Sequence, residues 1–463
     1  MNTLRKTSKK KFQKNLWIIL LNFMFVYMAN AQIQNPYNLA PQVPQPASFQ
    51  TITVGNPNIY NPNAVNPQTL MNLEQQRIQQ QNQRIIQATL QQQQNRRQQL
   101  QQIYAELENE NRHINYSLPS HLNKKGASAY LKAFDSLQKF SDDYPLKKAV
   151  FIVENAFYEN KHSYEEFDKV IKNIGKFLLR KMDEFGYDKN SNLAKNLILF
   201  RFFSDTLQFN KKGLMHLPIN YDFNDAFGDQ NWTKMFVTKL LSTNTGQCSS
   251  MPRLYLILAE EIGAEAYLAF SPNHSYIRFP DDNLHWYNVE LTNHMFTTNS
   301  MILSSGYVKS EALVNKIYMN NLSKKQLLAQ TFVELASGYI HKYGYDTFVE
   351  KIVSKALEID NKNINANMAL SNYYTVRFEY VMKQLGINPR NHNELQNIRY
   401  FPQAITLLKQ TNQQYKKIDD LGFEFMSQEA YDNWLNSLKK MHEMEKSKQI
   451  ENRIKLNVNK LKD

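Results

Sequence analysis

The chain has one cysteine, Cys248, in 463 residues. No disulfide can form within it, so the fold has to rest on its own apolar core. It has little that could cross a bilayer: the most apolar stretch, Leu16 to Met28, is thirteen residues long, whereas a spanning helix needs about 20. Acids are missing from the first fifteen residues, which carry Arg5, Lys6, Lys9, Lys10, Lys11 and Lys14. Charge, then apolar run, then Ala29-Asn30-Ala31 is the order of an export signal with a small-x-small cleavage site. The expectation is a signal peptide over 1–31, cleavage before Gln32, and a periplasmic or secreted protein with no stable membrane insertion.

The formal net charge of +13 includes those six leader cations, so the mature chain carries about +7. That excess is too ordinary to imply a nucleic-acid partner. A lone thiol in an oxidising compartment, by contrast, needs a reason.

From Gln32 to about Pro67 the chain is rich in Asn, Gln and Pro, and from Leu70 to Tyr104 glutamine dominates. Segment 32–112 is therefore expected to be a disordered leader followed by a Gln-rich stretch forming a marginal helix or weak coiled coil. Its apolar seam breaks between Leu90 and Leu100. Globular character starts near Leu118. Val150 to Phe157, Phe167 to Ile174 and Leu193 to Leu207 repeat apolar residues at helical spacing. Asp222, Asn224, Asp225 and Asp229 form an acidic turn, with Ala226 and Gly228 misplaced for a calcium loop. Past Gly306 the chain is helical again. Leu335 to Tyr339, Ala356 to Asn361 and Asn365 to Ala369 read as one helix pair of tetratricopeptide type over 306–440, before a charged tail at 441–463.

The chemistry concentrates between Gly246 and Thr292. Met251, Leu254, Tyr255, Leu258 and Ile262 mark one face of a helix that stops at Gly263, which places Cys248 at its N-terminus. Amides with no partner and the positive end of the helix dipole favour a thiolate there and can hold an oxyanion. Three strands are expected next, over Ala264 to Phe270, His274 to Phe279 and Leu284 to Thr292. With Pro280 placed opposite Leu284, His274 lies directly across from Glu290, close enough for the carboxylate to accept from one imidazole nitrogen. A metal site built from His274, Glu290 and His294 would need a geometry that this hairpin does not offer, so neither metal nor cofactor is expected.

At these residues the sequence resembles the transglutaminase-like superfamily. The resemblance rests on Gly246 and Cys248 at a helix start, His274 opening the next strand, and Trp286, Glu290 and Thr292 in a Trp-x-x-x-acid-x-Thr setting. It is closest to the branch in which the His follows a Pro, as in Pro272-Asn273-His274, and in which tetratricopeptide-like helices follow the core. The family acid is usually Asp, so Glu290 departs from the pattern by one methylene.

The resemblance implies an α+β fold: a papain-like core of a helix on an antiparallel sheet over 113–305, with helical portions on both sides. It also implies acyl transfer, with Cys248 as nucleophile, His274 as base and Glu290 orienting the imidazole. The expected reaction is hydrolysis of an amide in a protein or peptide, cell-wall peptide included. The alternative is a non-catalytic module that binds a protein partner through the C-terminal helices.

Overall fold

The computed structural model describes residues 67–109, 114–208 and 213–442. The expected signal peptide, the leader up to 66 and nearly all of the charged tail lie outside them. Helices and small sheets make an α+β protein. Among the described residues no helix is long and apolar enough to cross a membrane.

The chain forms two compact units. One runs from Ser117 to Phe378 and resumes at Lys409. The other combines the described residues up to Tyr116 with Glu379–Leu408. In the latter, the Gln-rich stretch is one continuous helix, α1 (Pro67–Asn109), where the sequence predicts only a marginal one. Near its end Tyr104 stacks on Tyr400 with ring centroids 4.7 Å apart.

The larger unit opens with α2 (Ala127–Leu137), α3 (Leu146–Phe157), α4 (Tyr164–Phe185) and α5 (Asn192–Ser204). Ser163 caps α4 by accepting from Glu166 N at 3.3 Å, and Gly186 ends it in the left-handed region. Phe167, Ile171, Leu178 and Met182 are its buried face. In α5 nearly every side chain from Leu193 to Phe203 is buried, which makes it a core helix.

A short hairpin, β1 (Leu207–Gln208) with β2 (Met215–His216), leads to β3 (Asn220–Tyr221). Then follow α6 (Val237–Thr243), β4 (Thr245–Gly246) and α7 (Ser250–Ile262), ended by Gly263 at φ 67°. Strand β3 pairs parallel to β4, with Tyr221 opposite Gly246. An antiparallel meander comes next: β5 (Tyr267–Ser271), β6 (His274–Pro280), β7 (Trp286–Glu290) and β8 (Met295–Thr297). The fourth strand is not evident in the sequence pattern.

Two short helices, α8 (Asn299–Leu303) and α9 (Ser310–Val314), precede α10 (Lys324–Tyr343) and α11 (Thr347–Ile359). The chain then continues through α12 (Ile364–Leu385), α13 (His392–Leu395), α14 (Pro402–Asp420) and α15 (Gln428–His442). Helices α10 and α11 pack together. Helix α10 also packs on α2 and α3. Phe134 meets Phe332 edge to face at 5.7 Å. A Cβ on Gly338 would come within 3.3 Å of the Tyr130 hydroxyl, so this small residue serves the crossing with α2.

The sheet divides its side chains by parity. Ile277, Phe279, Val289 and Phe296 are fully or almost fully buried. They face the helical core, where the rings of Phe200 of α5 and Phe296 lie tilted with centroids 4.5 Å apart. His274, Tyr276, Arg278, Asn288 and Glu290 take the opposite face.

Candidate functional site

Cys248 stands two residues before α7, and its place is set by the backbone on either side. Asp222 N donates to Gly246 O at 3.0 Å. Gln247 N donates to Ser250 Oγ at 2.9 Å, and Gln247 Nε2 reaches the carbonyls of Asp222 and Asp225 at 2.9 and 2.8 Å. The acidic turn thus serves as a bracket for the segment that delivers the thiol. Gly246 is required by close approach, since a Cβ there would lie 2.6 Å from both Leu240 and Met251. On the sheet side, Ser275 Oγ donates to the Cys248 carbonyl, tying the helix start to β6. The thiol itself is half-buried.

His274 opens β6 just after the turn Pro272-Asn273, where Asn273 adopts φ 56°. Its Nε2 is 2.7 Å from Glu290 Oε2. Glu290 Oε1 in turn accepts from Thr292 N at 3.0 Å and from Thr292 Oγ1 at 2.7 Å. Both members of the pair are buried, at 5% and 4% exposure. The structure therefore brings His274 and Glu290 together as the sequence predicts, but in a different register. Arg278 faces Asn288, and Pro280 faces Trp286. The predicted pairing set Arg278 against Trp286 and Pro280 against Leu284.

The cause is the loop. Asp281 Oδ1 accepts from Asn283 N and His285 N, both at 2.8 Å, and holds five residues, Asp281 to His285, out of the ladder. A shift of two preserves the side-chain faces, whereas a shift of one would have sent Glu290 to the core. His274 and Glu290 meet as diagonal neighbours.

Burial works against charge on His274. The opposing Glu290 carboxylate, together with hydrogen bonding to Cys248 and Glu290, wins and raises the imidazole pKa to about 10. Burial also opposes ionisation of Glu290, yet the His274 charge and the bonds from His274 and Thr292 hold its pKa below the usual carboxylate value. The pair at neutral pH is imidazolium and carboxylate.

Three side chains that the sequence did not single out complete the site. Tyr431 of α15 places its hydroxyl 3.1 Å from His274 Nδ1, 157 residues along the chain. Trp434 meets the imidazole edge to face at 5.0 Å. Tyr221 of β3 lies against Cys248 and Tyr431, and burial followed by the Cys248 charge keeps its hydroxyl protonated. No local pattern could have found the α15 pair, because α15 has no motif and reaches the site only by tertiary packing. Tyr221 could have been suspected only from standing next to the acidic turn that begins at Asp222. His294 is not part of the cluster: its Nε2 bonds to the Ile219 carbonyl at 2.8 Å. Among the described residues no group of three His, Cys, Asp or Glu side chains could hold a metal ion.

No family model, curated protein or solved structure matches the chain.

Proposed function

We propose that this chain is an exported cysteine-dependent acyl-transfer protein of the transglutaminase-like type, hydrolysing an amide or peptide through Cys248, His274 and Glu290. The observation that carries this reading is the 2.7 Å bond from His274 Nε2 to Glu290 Oε2 behind a thiol at a helix start. The papain-like arrangement of helix on antiparallel sheet belongs to the same reading.

His274 is already an imidazolium beside Cys248, so the sulfur attacks the substrate carbonyl as the thiolate partner of that ion pair. The positive end of the α7 dipole favours the developing oxyanion, while Met251 N is taken by Gln247 O at 3.0 Å and Pro252 has no N–H. The imidazolium, held by Glu290, gives its proton to the leaving amine, and water then resolves the thioester.

The test is acylation of the full chain by p-nitrophenyl acetate, followed by mass spectrometry. A single acetyl on Cys248, lost in Cys248→Ala and slowed by at least about a hundredfold in His274→Ala, is the expected result. Absence of acetylation at Cys248 in the wild type and in any variant that exposes the thiol would overturn the reading. One observation favours a second reading, a non-catalytic protein-binding module: His274 is covered by Tyr431 and Trp434.

A further inference from the structure

Cys248 already hydrogen-bonds to His274, but the room that a substrate acyl group would need beside the imidazole is occupied. Tyr431 holds Nδ1, and Trp434 sits over the ring. Beneath Trp434 a small space remains between Ser271, His274, Tyr276, Glu290, Thr297 and Ile302, about 10 Å³, hardly enough for one water. No acyl group fits while α15 is in place.

Two observations distinguish α15 from a permanent wall of the core. Four polar atoms around that space, Ser271 Oγ, Tyr276 OH, Thr297 Oγ1 and Trp434 Nε1, are buried without a hydrogen-bond partner among the described residues. Natively packed interiors leave few such atoms, and each costs about 1–3 kcal/mol. A lined pocket whose hydroxyls go unanswered by its cover is built for another occupant.

Secondly, α15 is lightly held. Of its side chains whose placement is described, only Tyr431 and Trp434 are buried. Its approach is held by a bond from Asn273 Nδ2 to Met426 O at 2.9 Å, by the buried Met426 side chain and by the exposed Lys309–Glu424 pair at 4.0 Å. The preceding helix, by contrast, is pinned through Ile418 and Leu421 in a cluster with Ala312 and Ile317. Phe423 packs on the same cluster, and four residues, Glu424 to Ser427, separate it from α15.

We propose that α15 is a removable cover: Tyr431 and Trp434 occupy the substrate pocket of the Cys248 site, and the site becomes competent when α15 lifts. This rests on the functional reading above and adds a closed resting state to it. A site open only part of the time reacts in proportion to its open fraction.

Because Cys248 is the only thiol in the chain, iodoacetamide reports on it alone. Full-length wild type, Tyr431→Phe, Trp434→Ala and the double variant are compared near pH 7, with circular dichroism to confirm folding. The double variant is expected to alkylate at least about tenfold faster than wild type, and Tyr431→Phe a few-fold faster. Tyr431→Phe keeps the ring and its packing, so it carries the test if Trp434→Ala does not fold.

Rates equal to wild type in folded variants would overturn the proposal. Slower labelling of Tyr431→Phe would also overturn it, since the hydroxyl would then assist the thiol. Acetylation by p-nitrophenyl acetate separates the two claims. Faster alkylation of the double variant without acetylation supports the cover and sinks the catalytic reading. Acetylation of wild type as fast as of the double variant supports catalysis and sinks the cover.

Discussion

Glu290 is one methylene longer than the aspartate usual in the resembled family, and the observed register gives that methylene a use. Directly opposed side chains have Cβ atoms about 5 Å apart, while diagonal ones stand about 7–8 Å apart. His274 and Glu290 are diagonal, so the longer side chain closes the gap to 2.7 Å. Aspartate at this position should therefore harm this protein. In Glu290→Asp the carboxylate loses its reach, and the His274 midpoint, followed by NMR of its ring protons, is expected to fall by at least about one unit from its raised value. A midpoint left near 10 would refute the diagonal account. The pair also sets a pH dependence of stability. His274 is raised from 6.5 to about 10, so its contribution is complete below about pH 6.5 and disappears as the pH climbs towards 10. Thermal melts between pH 6 and 10 should show this loss in wild type and a much flatter profile in Glu290→Gln, where the uncharged amide no longer favours the imidazolium. Equal slopes would mean that the pair is not ionic.

At the scale of elements, α7, its stop at Gly263 and the His-bearing strand are legible in the sequence because each has a local cause: an apolar stripe, a left-handed glycine, a polar turn. The hairpin register is not, since it depends on which backbone amides Asp281 captures. A shift of two residues leaves every side chain on its face, which is why the faces are legible where the register is not. The closure by α15 was out of reach entirely, as nothing local links Tyr431 to His274. Strand β4 shows how an element can serve a site it does not belong to. Gly246→Ala would press a Cβ to 2.6 Å from Leu240 and Met251 and to 3.1 Å from Ser250 Oγ, the atom that anchors Gln247. Overpacking of this kind costs about 1–3 kcal/mol, to be read as a lower urea midpoint with unchanged m-value. Stability within about 0.3 kcal/mol of wild type would show that the neighbours yield freely.

For the molecule as a whole, the open question is whether α1 contributes to the fold. It is 43 residues long, about 65 Å of helix at 1.5 Å per residue. Along it Met71, Leu73, Ile78, Ile85, Ile86, Leu90 and Ile103 are all exposed. Stability in helices comes chiefly from burying an apolar face, and here burial begins only near the C-terminal end, where Leu100 is half-buried and Tyr104 stacks on Tyr400. Removing residues 67–95 takes away exposed helix and leaves Tyr104 in place. The melting temperature of the shortened chain should stay within about 2 °C of wild type, since about 1 kcal/mol would move a chain of this size by only a few degrees. If instead the exposed isoleucines and leucines pair between copies, melting of the full chain will rise with protein concentration and the deletion will abolish that rise. A fall of more than about 5 °C at every concentration would show that the Gln-rich helix packs within its own chain.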